Sequence, residues 1–296
     1  MPHPFKSIAL VGNAKDARVA DCMLSLAAHL QRRGVSMLVD TAMPLEFPDG
    51  GVAQCPESAF AARADLIIAI GGDGTLLYAA SLVAGHPVPL LGINRGRLGF
   101  LTDIGPKSML EDVDSVLDGR YSEDRRSLLA ARLEPCGAQA VRALALNDIV
   151  VNKLDTGHLL DFETSINGRF VNSHGGDGIV IATATGSTAY ALSCGGPIVE
   201  PDLDVWVLAP ISPHTLSDRP IVVRAGSKIR IQLSDRADSR AQVTCDGAAI
   251  GDLRPGDSLC VEGSGAAITL LHPPGYDYYR LLRSKLHWGR GGFDAC

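Results

Sequence analysis

Leu66-Ile67-Ile68-Ala69-Ile70 is an unbroken aliphatic run that ends on a glycine pair, Gly71-Gly72. A half-exposed strand alternates apolar and polar side chains, so a continuous run of this kind predicts a parallel strand covered on both faces. Parallel neighbours need crossover connections, usually helices, and the flanking sequence supplies them. Ser7 to Val11 reads as a strand, Val19 to Gln31 as an amphipathic helix ended by Gly34, and Ser36 to Val39 as a second strand. Thr75 to Val83 has helical spacing, Pro89 to Ile93 reads as a strand and Ser108 to Leu117 as a helix. The first part of the chain is therefore expected to be an α/β domain with a parallel sheet.

From about Ser127 the pattern changes, and strand candidates follow one another with few helical patterns between them. They are Leu128 to Leu133, Ala143 to Val151, Leu159 to Ile166, Gly178 to Ala182, Val205 to Ala209, Ile221 to Val223, Lys228 to Leu233, Ala241 to Cys245 and Ala266 to Leu271. One helical interruption follows Gly186. This predicts a β-rich, β-sandwich-like second domain. Tyr276 to Lys285 has helical spacing and is expected to pack back on the first domain. At 296 residues the chain is long for one core, and the expected division is 1–125 with 276–296 returning to it, and 126–275. With 46% hydrophobic and 20% charged residues, each part can bury a core.

The formal net charge is -6, and the basic residues form no stripe that could follow a phosphate backbone, which argues against a nucleic-acid partner. Seven scattered cysteines, an odd number without a C-x-x-C pair, read as reduced cytosolic thiols. No apolar stretch is long enough to cross a bilayer, and Met1 to Lys6 leads directly into a strand pattern. The expectation is a cytoplasmic protein with no membrane partner.

The segment Gly71-Gly72-Asp73-Gly74-Thr75 follows the buried run directly. Glycines allow close backbone approach, so amide N–H groups can converge on a phosphate at the start of the next helix. Asp73 then stands at the carboxyl end of a parallel strand, where open α/β sheets place their ligands. It could accept a proton from an attacking hydroxyl or help hold a magnesium ion on a donor phosphate. The competing reading is an ordinary strand-to-helix turn with Asp73 as N-cap. Neither G-x-x-x-x-G-K-[ST] nor a G-x-G-x-x-G after the first strand occurs, which removes the P-loop and Rossmann fingerprints.

Three further segments carry polar groups in places that suit a ligand. Gly92-Ile93-Asn94-Arg95-Gly96-Arg97-Leu98-Gly99-Phe100-Leu101 is a glycine-rich loop after a strand, or equally a surface turn with Phe100 in the core. Leu146-Asn147-Asp148-Ile149-Val150-Val151 sets two polar side chains inside an apolar run, where they need partners: a ribose or an adenine edge, or a turn that they cap. Gly176-Asp177-Gly178 through Gly195-Gly196-Pro197 passes from a strand through a hydroxyl-rich turn, Thr183 to Thr188, into a short helix that carries Tyr190.

Gly71 to Thr75 resembles the signature shared by NAD kinases, the diacylglycerol and sphingosine kinases and, more loosely, the phosphofructokinases. The other segments, with Pro213 to Pro220 and the tail Leu281 to Trp288, resemble NAD kinases in particular, in the right order over almost the whole chain. The resemblance implies transfer of the terminal phosphate of ATP, bound with Mg²⁺, to the 2'-hydroxyl of the adenosine ribose of NAD, with Asp73 as the base. It implies NAD contacts at Asp73, Gly74, Asn147, Asp148, His158, Asp177, Thr188, Ala189, Tyr190, Ala191, Leu192 and Ser193, with no protein metal ligand assigned, and a homodimer or homotetramer.

Two departures stand out. Ala184 replaces the family's usual proline, and Ala248 stands near where a glutamine often follows the Asp246-Gly247 pair. Without that glutamine, Asp246 reads as a turn residue rather than a ligand contact. His158 also has a plain reading as a solvated surface histidine, and His174 lies close to Asp177 in sequence. The rival functions are a lipid or sugar kinase with the same loop, or a non-catalytic NAD(H) sensor.

Overall fold

The structure, a computed structural model, describes residues 5–47, 51–96, 99–154, 159–235 and 239–287. Contacts divide the chain into two units, 1–125 with 268–296, and 126–267.

The first unit opens with β1 (Ser7–Gly12), α1 (Ala17–Arg32), β2 (Ser36–Asp40), β3 (Val52–Cys55), the one-turn α2 (Phe60–Arg63), β4 (Leu66–Gly71), α3 (Asp73–Val83), β5 (Leu90–Asn94) and α4 (Met109–Leu117). The strands lie in the order β3-β2-β1-β4-β5, all parallel. β4 is central and its first five residues are buried, as the aliphatic run requires. Helix α1 shows how locally the rest is encoded. Asp16 caps it by accepting from the Arg18 amide at 2.9 Å, and Val19, Cys22, Met23, Leu26, Ala27 and Leu30 form its buried stripe. The chain runs outward from β1 to β3 on one side and from β4 to β5 on the other. The gap between the carboxyl ends of β1 and β4 is therefore a topological switch point, and Asp73 begins α3 beside it.

β6 (Ser122–Glu134) leads into the second unit, which contains β7 (Val141–Ala145), β8 (Asp148–Lys153), β9 (Leu160–Ile166), β10 (Arg169–Gly176), β11 (Gly178–Thr183), α5 (Tyr190–Ser193), β12 (Val205–Ile211), β13 (Ile221–Arg224), β14 (Ile229–Leu233), β15 (Ala241–Cys245), β16 (Ala248–Leu253) and most of β17 (Ser258–His272). One sheet runs β10-β9-β14-β17, with β6 beside β17 and β7 beside β6; the other runs β13-β12-β11-β8-β15-β16. Leu129, Phe162, Ile231 and Val261 from the first sheet and Ile149, Ile181, Trp206 and Val243 from the second share one core, which makes the unit a β-sandwich. The second sheet is also covered on its outer face. Val150, Val180, Ala182, Val207 and Ala209 pack there against Ala184, Ala191 and Val199, so β11 is buried throughout.

From Ile268 the chain is again part of the first unit, where Leu270 pairs in parallel with Leu90. The closing helix is α6 (Tyr278–Leu286), capped by Asp277, which accepts from the Tyr279 and Arg280 amides. Its Lys285 ammonium lies 5.9 Å from the centre of the Phe100 ring. No helix among the described residues is long and apolar enough to cross a membrane.

Several elements differ from the sequence pattern. β3, α2, β10 and β16 have no counterpart in it, and β17 is far longer than Ala266 to Leu271. The run Ala143 to Val151 is two strands, β7 and β8, broken at Leu146-Asn147. The helical interruption after Gly186 is a 3-10 turn, Thr185–Thr188, followed by the four residues of α5.

Candidate active site

Asp73 is the first residue of α3, and the position before it is Gly72, which makes no side-chain cap. The Asp73 carboxylate is engaged elsewhere. Its Oδ2 accepts the Phe100 amide at 2.7 Å, and its Oδ1 accepts the Leu101 amide at 3.0 Å and the Thr102 hydroxyl at 3.1 Å. Thr102 is fully buried and accepts in turn from the Asn94 amide group at 2.8 Å, while Asn94 Oδ1 accepts from the Gly96 amide at 2.6 Å. The loop after β5 is thus a cradle for one carboxylate. Gly99 is required there, because a Cβ at that position would fall 1.7 Å from Asp73 Oδ1. A carboxylate offers about four lone-pair positions, and these three donors leave one free, on Oδ2. Gly74, next in the chain, is exposed.

In the second unit, the break between β7 and β8 carries Asn147 and Asp148. Asp246, in the left-handed first position of the Asp246-Gly247 turn between β15 and β16, supplies the reason for the break. Its carboxylate accepts the amides of Leu146 at 2.7 Å, Asn147 at 2.8 Å and Asp148 at 3.0 Å. These amides point at a side chain instead of a strand partner. Thr183 holds the other side of the break, donating its hydroxyl to the Leu146 carbonyl at 2.6 Å and its amide to the Asn147 carbonyl at 2.9 Å. Asn147 Oδ1 is buried and has no hydrogen-bond partner among the described residues. A buried acceptor left open in this way costs free energy that a ligand donor would recover.

Asp148 is buried, and its carboxylate accepts the Tyr190 amide. Burial, with the negative Asp246 beside it, pushes its pKa up to about 6 from 3.8, against the pull of that amide. The folded state therefore keeps a proton that the unfolded chain releases as pH passes the ordinary aspartate value. Stability is expected to fall as pH rises from about 4 to about 6 and then to level off. Asp148→Asn should remove its own part of that fall, leaving the part due to the buried Asp246, whose pKa is also raised by burial, as urea midpoints across this range would show.

Tyr190 is 39% exposed, and its phenol pKa is raised by partial burial and by the nearby Cys194, Asp177 and Asp148. It thus senses both Asp148, opposite Ala182 near one end of β11, and Asp177, which precedes β11 at the other. Asp177 is paired with Lys153, whose ammonium holds its pKa below the usual value, aided by the Ser212 hydroxyl. Thr188 is half-buried and donates to the Thr185 carbonyl at 3.3 Å; Ala189 precedes α5; Leu192 is half-buried and Ser193 exposed. Ala191 is fully buried in the layer covering the outer face of the second sheet, so its methyl group packs the core. His158 lies outside the described residues. His174 stacks on Phe162 at 4.8 Å and pairs with the buried Asp218 at 3.0 Å.

The pattern of residues did not reveal the amide cradle around Asp73 or the three-amide grip of Asp246. A Gly-Phe-Leu-Thr run and an Asp-Gly turn are visible in sequence, but the partners they hold are 27 or more residues away.

A Gly-Gly-Asp-Gly-Thr turn at the switch point of a parallel sheet, in a chain whose second unit is a β-sandwich, is compatible with the class of kinases that the loop resembles. Residues 8–121 match the ATP-NAD kinase N-terminal domain and residues 146–272 its C-terminal domain. The chain is 43% identical over 290 residues to an NAD kinase of Nitrosococcus oceani, covering 98% of this chain and 99% of that one. It is 43% identical over 287 residues to an NAD kinase of an Azoarcus species, covering 96% of each. Among solved structures, yeast NADH kinase complexed with NADH superposes with a TM-score of 0.90 at 25% identity, covering 99% of this chain and 90% of that one. An NAD kinase from Archaeoglobus fulgidus in complex with ATP gives 0.73 at 26% identity, covering 95% and 98%. The chain belongs to the ATP-NAD kinase family.

Proposed function

We propose that the chain transfers the terminal phosphate of ATP to the 2'-hydroxyl of the adenosine ribose of NAD, making NADP, with Asp73 as the general base. The observation that carries this reading is the Asp73 carboxylate, fixed by three donors with one acceptor position left on Oδ2 for an incoming hydroxyl. Phosphoryl transfer relies mainly on positioning and charge neutralisation, and a preorganised carboxylate meets the first need. For the dinucleotide we propose, in addition to Asp73, the residues Gly74, Asn147, Asp148, Asp177, Thr188, Ala189, Tyr190, Ala191, Leu192 and Ser193, with His158 from the resemblance alone. The unpartnered Asn147 Oδ1 supports a ligand donor at the break between β7 and β8. Asp148 accepts such a donor best when ionised, so affinity for NAD should weaken as pH falls through about 6.

Mg²⁺ is proposed as the ion that arrives with ATP and neutralises charge on its phosphates. Among the described residues no group of three or more His, Cys, Asp or Glu could hold a metal. The cysteines among the described residues are free, which supports a cytoplasmic setting. A homodimer or homotetramer is inferred from the family resemblance.

A substrate panel tests the assignment. NAD and NADH should each be offered with ATP and with polyphosphate, and diacylglycerol and fructose 6-phosphate offered as rival acceptors with ATP. Phosphorylation confined to the dinucleotides supports the reading; transfer to the lipid or the sugar in their place refutes it.

A further inference from the structure

We infer that His272 is a positioning residue for Asp73, acting through the loop that holds the Asp73 carboxylate. The inference rests on Asp73 being the catalytic base. His272 ends β17 and is almost wholly buried within the first unit. Both of its ring nitrogens meet carboxylates: Nδ1 lies 2.9 Å from Asp103 and Nε2 lies 3.3 Å from Asp124. The ring stacks on Tyr276 at 3.7 Å with an 8° angle between planes. Asp103 directly follows Thr102, whose hydroxyl donates to Asp73 and whose neighbours Leu101 and Phe100 give it their amides. An ion pair at Asp103 therefore anchors the end of the cradle.

The state of the ring decides whether that anchor holds. Imidazolium donates from both nitrogens and can satisfy Asp103 and Asp124 together. Neutral imidazole has one N–H and one acceptor, so one nitrogen would face a carboxylate with no proton between them. Asp103 is poorly placed to tolerate this, because its other oxygen, Oδ1, is already buried without a partner among the described residues. Burial alone would lower the His272 pKa, but the bonds to Asp103 and Asp124 outweigh it and raise the value above the usual one. A raised folded pKa contributes stability that is complete below the ordinary histidine value and is lost as pH climbs through the folded one. Among the described residues, Asp103, Asp124 and Tyr276 are the titratable groups shown against the ring. The loop is thus expected to slacken on the alkaline side, while KM for NAD is unaffected.

The test uses the full chain, with turnover and KM for NAD measured from about pH 6 to about pH 9 and the His272 imidazole followed by NMR. The expected result is an alkaline fall in kcat whose midpoint coincides with the His272 titration, with KM flat across that fall. His272→Gln should lower kcat by about tenfold at neutral pH and remove that fall, as a small misplacement of a catalytic group would. Should the variant fail to fold, coincidence of the two midpoints in the unaltered protein still decides. An alkaline limb unrelated to the His272 titration, or a His272→Gln variant with normal kcat and profile, overturns the inference. Asp73→Asn run alongside separates the two levels. If it loses turnover while His272→Gln is normal, only the inference about His272 fails; if it keeps turnover, the reading of Asp73 fails and takes the inference with it.

Discussion

Asp73→Asn is expected to lower turnover by a factor of about 10² or more while the protein stays folded and binds NAD. Two effects combine. Asparagine cannot accept a proton from the ribose hydroxyl, so the base is gone. Its amide group also presents N–H donors where the carboxylate accepted the Phe100 and Leu101 amides, so one of those bonds becomes a donor facing a donor. The second effect adds a modest loss of stability, visible in thermal unfolding. The first shows as a fall in kcat at saturating NAD. Turnover near the normal level in a folded Asp73→Asn variant would remove Asp73 from the chemistry.

Asp246→Ala should be the most destabilising of the substitutions considered. Three amides, those of Leu146, Asn147 and Asp148, lose their acceptor at once. Unsatisfied buried donors cost about 1–3 kcal/mol each, and water entering the half-exposed turn recovers part of that, so a net loss of about 3 kcal/mol is expected in urea unfolding. Removing the Asp246 charge also removes one of the two influences that hold the Asp148 pKa high. Asp148 should therefore titrate lower in any folded fraction, which carboxyl NMR would detect. NAD affinity should drop at least tenfold, because the break that aims Asn147 and Asp148 is no longer fixed. A variant with normal stability would show that the turn aspartate has no structural part in the break.

How far the sequence reveals this molecule depends on the range of the forces involved. β4 was legible because a strand buried on both faces must be apolar throughout, and α1 because its cap and stripe lie within one segment. β3 was not, since a four-residue edge strand with Ala53 and Gln54 exposed carries almost no period-2 signal. β10 hides for a similar reason: Phe170 and Val171 are exposed apolar residues in a polar strand that ends in two glycines. The division of Ala143 to Val151 is different in kind. The run itself is continuous, and its break is imposed by a carboxylate about 100 residues further along the chain. The site followed the same rule. Asp73 and the Asn147-Asp148 pair stood out as polar residues beside apolar strands, whereas the cradle, the Asp246 grip and the His272 pair depend on partners that only the folded chain brings together.

Formation of NADP is the activity on which the roles of Asp73 and the other residues rest. Incubation of the purified protein with NAD, ATP and Mg²⁺, read by an NADP-specific dehydrogenase and by ADP release, tests it directly. NADP and ADP are expected in equal amounts, with the new phosphate on the 2' position of the adenosine ribose. Tight NAD binding with no NADP formed would contradict it and point to a sensor in place of a kinase.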